Sequence, residues 1–204
     1  MALRVTGGIL RGRAIRVPKM GVRPTQDRVR AAVFSSLAER IPGARILDLF
    51  AGSGAMGLEA YSRGAASVFW VETDRRVLAV LRVNISQLCA PGSAHDINGV
   101  SVRPETRVIL DDVLRFVRTS EGRGPFDVIF ADPPYDRDGE WQKKILCALS
   151  ARSMLSASGL LILEISARVP VIAHPSWQLL KTKVYGETRT LMFQSMPSER
   201  GILS

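Results

Sequence analysis

Four consecutive residues, Asp132-Pro133-Pro134-Tyr135, carry the most specific chemistry in this chain. They follow Phe126-Asp-Val-Ile-Phe-Ala131, which reads as a buried strand, so they arrive at its carboxyl end, the ligand edge of an open parallel sheet. Two prolines fix φ and remove two N–H donors, which leaves a stiff turn whose carbonyls are free acceptors. The Asp132 carboxylate and the Pro133 carbonyl can each accept a hydrogen bond from one N–H of an exocyclic amine. Such an amine is conjugated with its ring and weakly nucleophilic. Holding it with its lone pair presented therefore matters more than a strong base. Tyr135 can stack on the base that carries the amine, which requires that base to be flipped out or unpaired. The alternative is a rigid Asp-Pro-Pro turn with a core tyrosine.

Upstream lies a second constellation, Asp48-Leu-Phe50-Ala51-Gly52-Ser53-Gly54-Ala-Met-Gly57, which matches G-x-G-x-x-G after a predicted strand and at the start of a predicted helix. Gly52 and Gly54 permit a tight turn and close backbone approach to a ligand; Gly57 lets the helix pack closely. The alternatives are a purely structural turn or a dinucleotide loop. Asp48 argues against the dinucleotide, because a carboxylate four residues before Gly52 repels a pyrophosphate and attracts a cation. S-adenosylmethionine (SAM) has no phosphate and carries a sulfonium and an ammonium group. Glu72 ends the next strand 24 residues after Asp48, near the offset at which an acid accepts from ribose hydroxyls, and Thr73 follows it. Asp111 and Asp112, with Val113 next to them, end the third strand and can reach an adenine amine. Helix N-capping is the alternative for the two acids.

These residues need a scaffold, and the spacing supplies one. Residues 3–18 alternate partly between apolar and polar and read as a short strand pair, with arginines on one face. A helix with Thr25 as N-cap carries Val29, Ala32, Val33 and Leu37 on one face and runs to about Arg40, where Pro42-Gly43 ends it. Strands at 45–50, 66–72, 106–110, 126–131 and 160–165 then alternate with helices at 55–63, 74–88, 112–118 and 140–151. Residues 90–104 read as a loop, and strands at 177–184 and 188–194 close the chain as a hairpin. This is an α/β fold of Rossmann-like type: a seven-stranded, mostly parallel sheet ending in an antiparallel hairpin. A small basic hairpin and helix precede it. The predicted division is a basic extension over 1–40 and a cofactor-binding domain over 41–204.

Composition narrows the function classes. With 204 residues, 46% hydrophobic and 23% charged, the chain can bury a real core. No apolar run approaches the roughly 18 residues of a membrane span; the longest, Gly159-Leu-Leu-Ile-Leu, stops at Glu164. Arg4, Arg11, Arg13 and Arg16 break up the start, as no secretory signal would. Cys89 and Cys147 are far apart and His95 and His174 are the only histidines, so neither a disulfide framework nor a metal site is expected, and the setting is cytoplasmic. The net charge is +9, and the first 40 residues hold nine basic residues against Asp27 and Glu39. A basic arm on a near-neutral body is the footprint of a polyanionic partner, nucleic acid or membrane headgroups. Arg4, Arg11, Arg13, Arg16, Arg23, Arg28 and Arg30 are the candidate contacts to such a polyanion; a solvated basic tail is the alternative.

Together these motifs resemble the class I SAM-dependent methyltransferases, and more closely the bacterial RsmD-type enzymes that methylate guanine N2 in small-subunit ribosomal RNA. The matching pieces are Gly7-Gly8, Arg11-Gly-Arg13, Arg23-Pro-Thr25, Asp27-Arg-Val-Arg30, Asp48 through Gly54 with Gly57-Leu-Glu-Ala60, Asp132-Pro-Pro-Tyr135 and Val184-Tyr-Gly-Glu-Thr188. The resemblance implies SAM contacts at Asp48, the 52–54 glycines, Glu72 and Asp112, catalysis at Asp132–Tyr135, and RNA contacts in the arm. It also implies a partner in 16S rRNA or the assembling 30S subunit; the sequence leaves oligomeric state open, and with no obvious apolar patch calling for a dimer a monomer is expected. Two departures bear on docking: Ala31 stands where the family often has an acid, and the 90–104 loop is longer than expected. Two other functions share parts of this pattern. A DNA adenine methyltransferase uses the same tetrapeptide but needs a target-recognition domain, for which about 40 residues outside the sheet leave little room. A non-catalytic RNA-binding protein with a vestigial SAM fold sits poorly with two intact motifs.

Overall fold

A run of apolar residues that is buried on both faces must lie inside a layered α/β fold, and Ser67–Glu72 is buried at every position. The structure, a computed structural model, describes residues 3–18, 27–89, 95–97, 100–102, 104–119 and 123–196. It divides into two compact units, Met1–Val113 and Leu114–Ser204.

The first unit opens with β1 (Leu3–Arg4) and β2 (Ala14–Ile15), paired antiparallel with Leu3 opposite Ile15. Then come α1 (Asp27–Ser36), a 3-10 turn over Ala38–Arg40, β3 (Arg45–Leu49), α2 (Ala55–Ser62), β4 (Ser67–Glu72) and α3 (Arg75–Leu88). β5 (His95–Ile97) pairs antiparallel with β6 (Val100–Val102), and β7 (Glu105–Leu110) follows. β3, β4 and β7 are parallel, with β4 in the middle; Asp48 stands opposite Trp70, and Glu72 opposite Leu110. Both acids therefore end up at the carboxyl edge. α3 is amphipathic, burying Val77, Leu78, Leu81 and Leu88, and Asp74 caps it by accepting from the Arg76 and Val77 N–H groups at 2.7 and 3.1 Å.

In the second stretch α4 (Val113–Thr119) leads to β8 (Phe126–Ala131), α5 (Glu140–Ser150), β9 (Leu155–Ser166), β10 (Trp177–Tyr185) and β11 (Thr188–Ser195). β8 and β9 run parallel, β11 pairs antiparallel with β9, and β10 lies outermost on β11. The seven main strands thus make the mixed sheet and terminal hairpin expected of a Rossmann-like α/β fold.

Three elements differ from the expectation. The 90–104 segment contains β5 and β6; Asn98-Gly99 between them is a strong two-residue hairpin signal that composition alone hides. β9 begins at Leu155, because Ser156-Ala-Ser-Gly159 mimics a turn in sequence. A Cβ at Gly159 would lie 3.0 Å from the Phe126 carbonyl, so glycine there serves a close approach of two strands. The first helix stops at Ser36 and tightens into the 3-10 turn. Its expected start at Thr25, like Arg23, lies outside the described residues. Among the described residues, no helix is long and apolar enough to cross a membrane.

Candidate active site

The glycine loop is built from positive backbone angles. Gly52 has φ 56° and Gly54 φ 82°, and between strand and glycines Phe50 has φ 59°, a conformation that costs a bulky residue energy. A Cβ on Gly54 would collide with Leu81, and one on Gly57 with the Trp70 indole, so α2 lies directly on β4. Ala51 N–H donates to the Val71 carbonyl at 3.0 Å, which docks the loop on the neighbouring strand. Ser53 is buried beside Ala51 and the glycines.

Two acids hold this loop. Glu72 Oε2 accepts the Gly52 N–H at 2.9 Å, and its Oε1 accepts the Thr73 and Asp74 N–H groups, both at 2.8 Å. Asp48 is 3% exposed, and its Oδ2 accepts the Gly57 N–H at 2.9 Å. Burial pushes the Asp48 carboxyl up to about 8; the Gly57 bond opposes that shift and the Glu72 charge adds to it. Thr73 is exposed, Asp111 half-buried, Asp112 exposed and Val113 buried. The Asp111 N–H donates to the Glu72 carbonyl at 3.2 Å, which brings the ends of β4 and β7 together. Asp112 immediately precedes α4.

At the end of β8, Asp132 is half-buried, Pro133 buried, and Pro134 and Tyr135 exposed. The Tyr135 hydroxyl lies 2.8 Å from Thr188 Oγ1 and donates to Glu164 Oε1 at 3.2 Å. Burial pushes the phenol up to about 12, a shift that Thr188 opposes and the Glu164 and Asp132 charges reinforce. Asp136 fixes the far side of the turn, its two oxygens accepting the Gly139 and Trp141 N–H groups at 2.9 and 2.7 Å. Sequence reasoning assigns no role to Thr188, Glu164 or Asp136. The Asp136 spacing to α5 is a local capping signal, whereas Glu164 and Thr188 meet Tyr135 only through the sheet register.

The basic arm is pinned to the first unit. Leu3, Val5, Leu10 and Ile15 are buried, and Arg4, Arg11, Arg13 and Arg16 are exposed around them. Arg4 Nη1 donates to the Gly12 carbonyl at 2.8 Å, and Gly12 has φ 83°. Gly7 and Gly8 sit against the end of α2, where a Cβ on Gly8 would collide with the Ser62 carbonyl. Ile9 N–H donates to Ser62 O at 2.9 Å, Leu10 N–H to Ser62 Oγ at 2.8 Å, and that hydroxyl donates to Gly7 O at 2.6 Å. On α3, the Asn84 amide holds the Arg16 main chain. Glu59, Ser62 and Asn84 are long-range partners that no local pattern marks.

The expected RNA contact at Arg30 does not hold, because its side chain is enclosed. Arg30 is 0% exposed; its Nε donates to Glu59 Oε2 at 3.2 Å and its Nη2 to Asp27 Oδ1 at 2.8 Å and to the Arg4 carbonyl. A guanidinium enclosed in this way is a structural cation, not a phosphate contact. Glu59, also 0% exposed, further accepts from Arg63 Nε at 2.9 Å and from the Thr6 N–H and hydroxyl at 2.8 and 2.7 Å. Arg28 remains exposed on α1. Among the described residues, no group of three or more His, Cys, Asp or Glu is placed to hold a metal ion.

The family described as Conserved hypothetical protein 95 matches residues 3–194. The chain is 33% identical over 196 residues to the ribosomal RNA small subunit methyltransferase D of Haemophilus influenzae, covering 95% of this chain and 94% of that one. It is 34% identical over 194 residues to the Escherichia coli protein of the same name, covering 94% and 89%. Among solved structures it is similar to Escherichia coli yhhF, with 33% identity, a TM-score of 0.77, and coverage of 97% of this chain and 100% of that chain. With a match that takes in both the arm and the Asp-Pro-Pro-Tyr turn, the chain belongs to the Conserved hypothetical protein 95 family, that of the ribosomal RNA small subunit methyltransferase D proteins.

Proposed function

We propose that this protein transfers a methyl group from SAM to the exocyclic N2 amine of a guanine in 16S ribosomal RNA during small-subunit maturation, acting as a cytoplasmic monomer. The observation that carries the reading is the Asp132-Pro133-Pro134-Tyr135 turn at the carboxyl end of β8. Family membership supports the broader activity, SAM-dependent methylation of ribosomal RNA.

The residues fit the cofactor. A loop with positive φ at Gly52 and Gly54 brings bare backbone to a ligand, and a buried acid beside it, Asp48, suits a cation rather than a phosphate. Asp48, Phe50, Ala51, Gly52, Ser53, Gly54, Glu72, Thr73, Asp111, Asp112 and Val113 would hold it. When bound, SAM supplies an electrophilic methyl group on a sulfonium.

The chain's own residues bind and orient the amine. The Asp132 carboxylate and the Pro133 carbonyl accept its two N–H groups, Pro134 keeps the turn rigid, and the Tyr135 ring packs on the base. A phenol pushed up to about 12 stays protonated at neutral pH, so Tyr135 acts as a ring and not as a base. Residues 1–40 form the RNA-holding extension, with Arg4, Arg11, Arg13, Arg16, Arg23 and Arg28 meeting phosphates, and residues 41–204 form the methyl-transferring part.

The test is transfer of labelled methyl from SAM into small-subunit particles from cells lacking the enzyme, followed by nucleoside analysis. Labelled N2-methylguanosine is expected. Asp132→Ala should abolish it while leaving SAM binding largely intact. Label on adenine, or full activity in that variant, overturns the assignment.

A further inference from the structure

Asn84 lies on α3, is 1% exposed, and commits its whole amide to two other segments. Its Oδ1 accepts the Arg16 N–H at 2.9 Å, and its Nδ2 donates to the Arg16 carbonyl at 2.9 Å. The same Nδ2 donates to the Ser53 carbonyl at 2.9 Å. The first two bonds copy the N–H and C=O exchange of paired strands. Asn84 therefore grips the arm by its main chain and leaves the Arg16 side chain exposed. The third bond ends inside the glycine loop, between Gly52 and Gly54.

That loop is also held by the Ala51 N–H on the Val71 carbonyl at 3.0 Å and by the Trp70 indole N–H on the Gly54 carbonyl at 3.4 Å. Gly54 offers α2 no side-chain cap, and Asp48 takes the Gly57 N–H instead; Glu72 holds the loop at the Gly52 N–H, and Asn84 holds it at the next residue from the carbonyl side. On a stem of this length only an amide offers one acceptor and two donors. Aspartate keeps the shape and loses both donations.

We propose that Asn84 is a positioning residue that couples the arm to the cofactor loop, so that RNA on the arm and SAM on the loop tighten one another's binding. This rests on the function proposed above, in which the arm holds RNA and the loop holds SAM. RNA docked on the arm immobilises the Arg16 main chain. That in turn fixes the Asn84 rotamer and the Ser53 carbonyl, and the loop then loses less freedom when it takes up cofactor. Linkage makes the effect reciprocal.

The test is equilibrium dialysis of labelled S-adenosylhomocysteine with the full chain, alone and with saturating small-subunit particles from cells lacking the enzyme. In the wild type the particles should lower the dissociation constant by about fivefold or more, the lower end of measured couplings. Asn84→Asp should bring that factor below about twofold, even where affinity for each ligand alone changes little. Asn84→Ala removes all three bonds without burying a charge and should do likewise, which guards against an Asn84→Asp chain that fails to fold. A wild-type chain that binds both ligands without coupling overturns this inference and leaves the proposed function standing; so does full coupling in either folded variant. A wild-type chain that takes up no S-adenosylhomocysteine overturns both.

Discussion

The Tyr135 hydroxyl lies 2.8 Å from Thr188 Oγ1, so the first residue of β11 holds the tip of a ring whose main chain leaves β8. With the phenol proton donated to Glu164 at 3.2 Å, the Thr188 hydroxyl donates to the tyrosine oxygen. Two anchors at one end fix the plane of a side chain that is still 41% exposed. An exposed aromatic held in this way is preorganised for the stacking proposed above, because its rotamer entropy is lost before a base would arrive.

Thr188→Val keeps the shape and removes the hydroxyl, at a cost of about 1 kcal/mol in ring positioning. Methyl transfer to small-subunit particles should fall by roughly fivefold to tenfold, the rate equivalent of that energy. SAM affinity should not change, and Thr188→Ser should restore the rate. Equal losses in SAM binding and in transfer would mean that Thr188 supports the fold and not the ring.

How much of this is legible in the sequence depends on how far apart the partners are. Gly54 and Gly57 lie next to their own strand and helix, so their spacing reveals both the turn and the close packing on Trp70. Asp132–Tyr135 follow a strand pattern directly and are equally plain. Arg30 is misread as an RNA contact when charge is weighed without the helical stripe. Arg30, Val33, Phe34 and Leu37 recur at three- and four-residue spacings and all are buried, so the arginine lies on the apolar face. Glu59 and Asn84 face partners 53 and 68 residues away, and no local window contains both halves of such a contact. Thr188 stands out only as part of a family motif, because its contact with Tyr135 depends on strand order.

With Asp48 at the cofactor as proposed, SAM binding should depend on pH. Its carboxyl titrates at about 8 in the folded chain against an ordinary value of 3.8, so the folded protein holds that proton through neutrality. The fold stability contributed by this proton is full below 3.8 and is lost as pH rises through about 8. A cationic ligand needs the carboxylate, so binding releases the proton and tightens as pH rises from about 6 towards 8, with a limiting slope of about tenfold per pH unit. Calorimetry of SAM in buffers of different ionisation enthalpy should show that proton release. Asp48→Asn should bind weakly with a flat profile over the same range; an unchanged slope in that variant would assign the proton elsewhere.

Glu59 closes a buried charge cluster, and removing it should be costly. Glu59→Ala removes the buried one of the two carboxylates that the Arg30 guanidinium meets, leaving Asp27, and takes the acceptor from the Thr6 donors. Breaking one side of a buried pair costs about 3–5 kcal/mol. Urea unfolding should show a loss of that size, with Glu59→Gln intermediate because its oxygen still accepts. A loss under about 0.5 kcal/mol, the usual range for surface substitutions, would mean that the cluster adds nothing to stability.

The arm's exposed arginines should set the salt dependence of RNA binding, and Arg30 should not. Arg11 and Arg13 flank Gly12, exposed on a turn anchored by buried Leu10 and Ile15, so their side chains can meet phosphates without unfolding anything. Each phosphate contact contributes roughly 0.7 to 0.9 to the slope of log K against log salt. Arg11→Glu with Arg13→Glu should flatten that slope by roughly 1.5 and weaken binding most at low salt. Arg30→Lys, by contrast, should lower the unfolding midpoint, because a single ammonium cannot satisfy Glu59, Asp27 and the Arg4 carbonyl at once. In the surviving folded protein the salt slope should stay as it was. A slope that falls with Arg30→Lys and holds with the double reversal would move the RNA surface away from the arm.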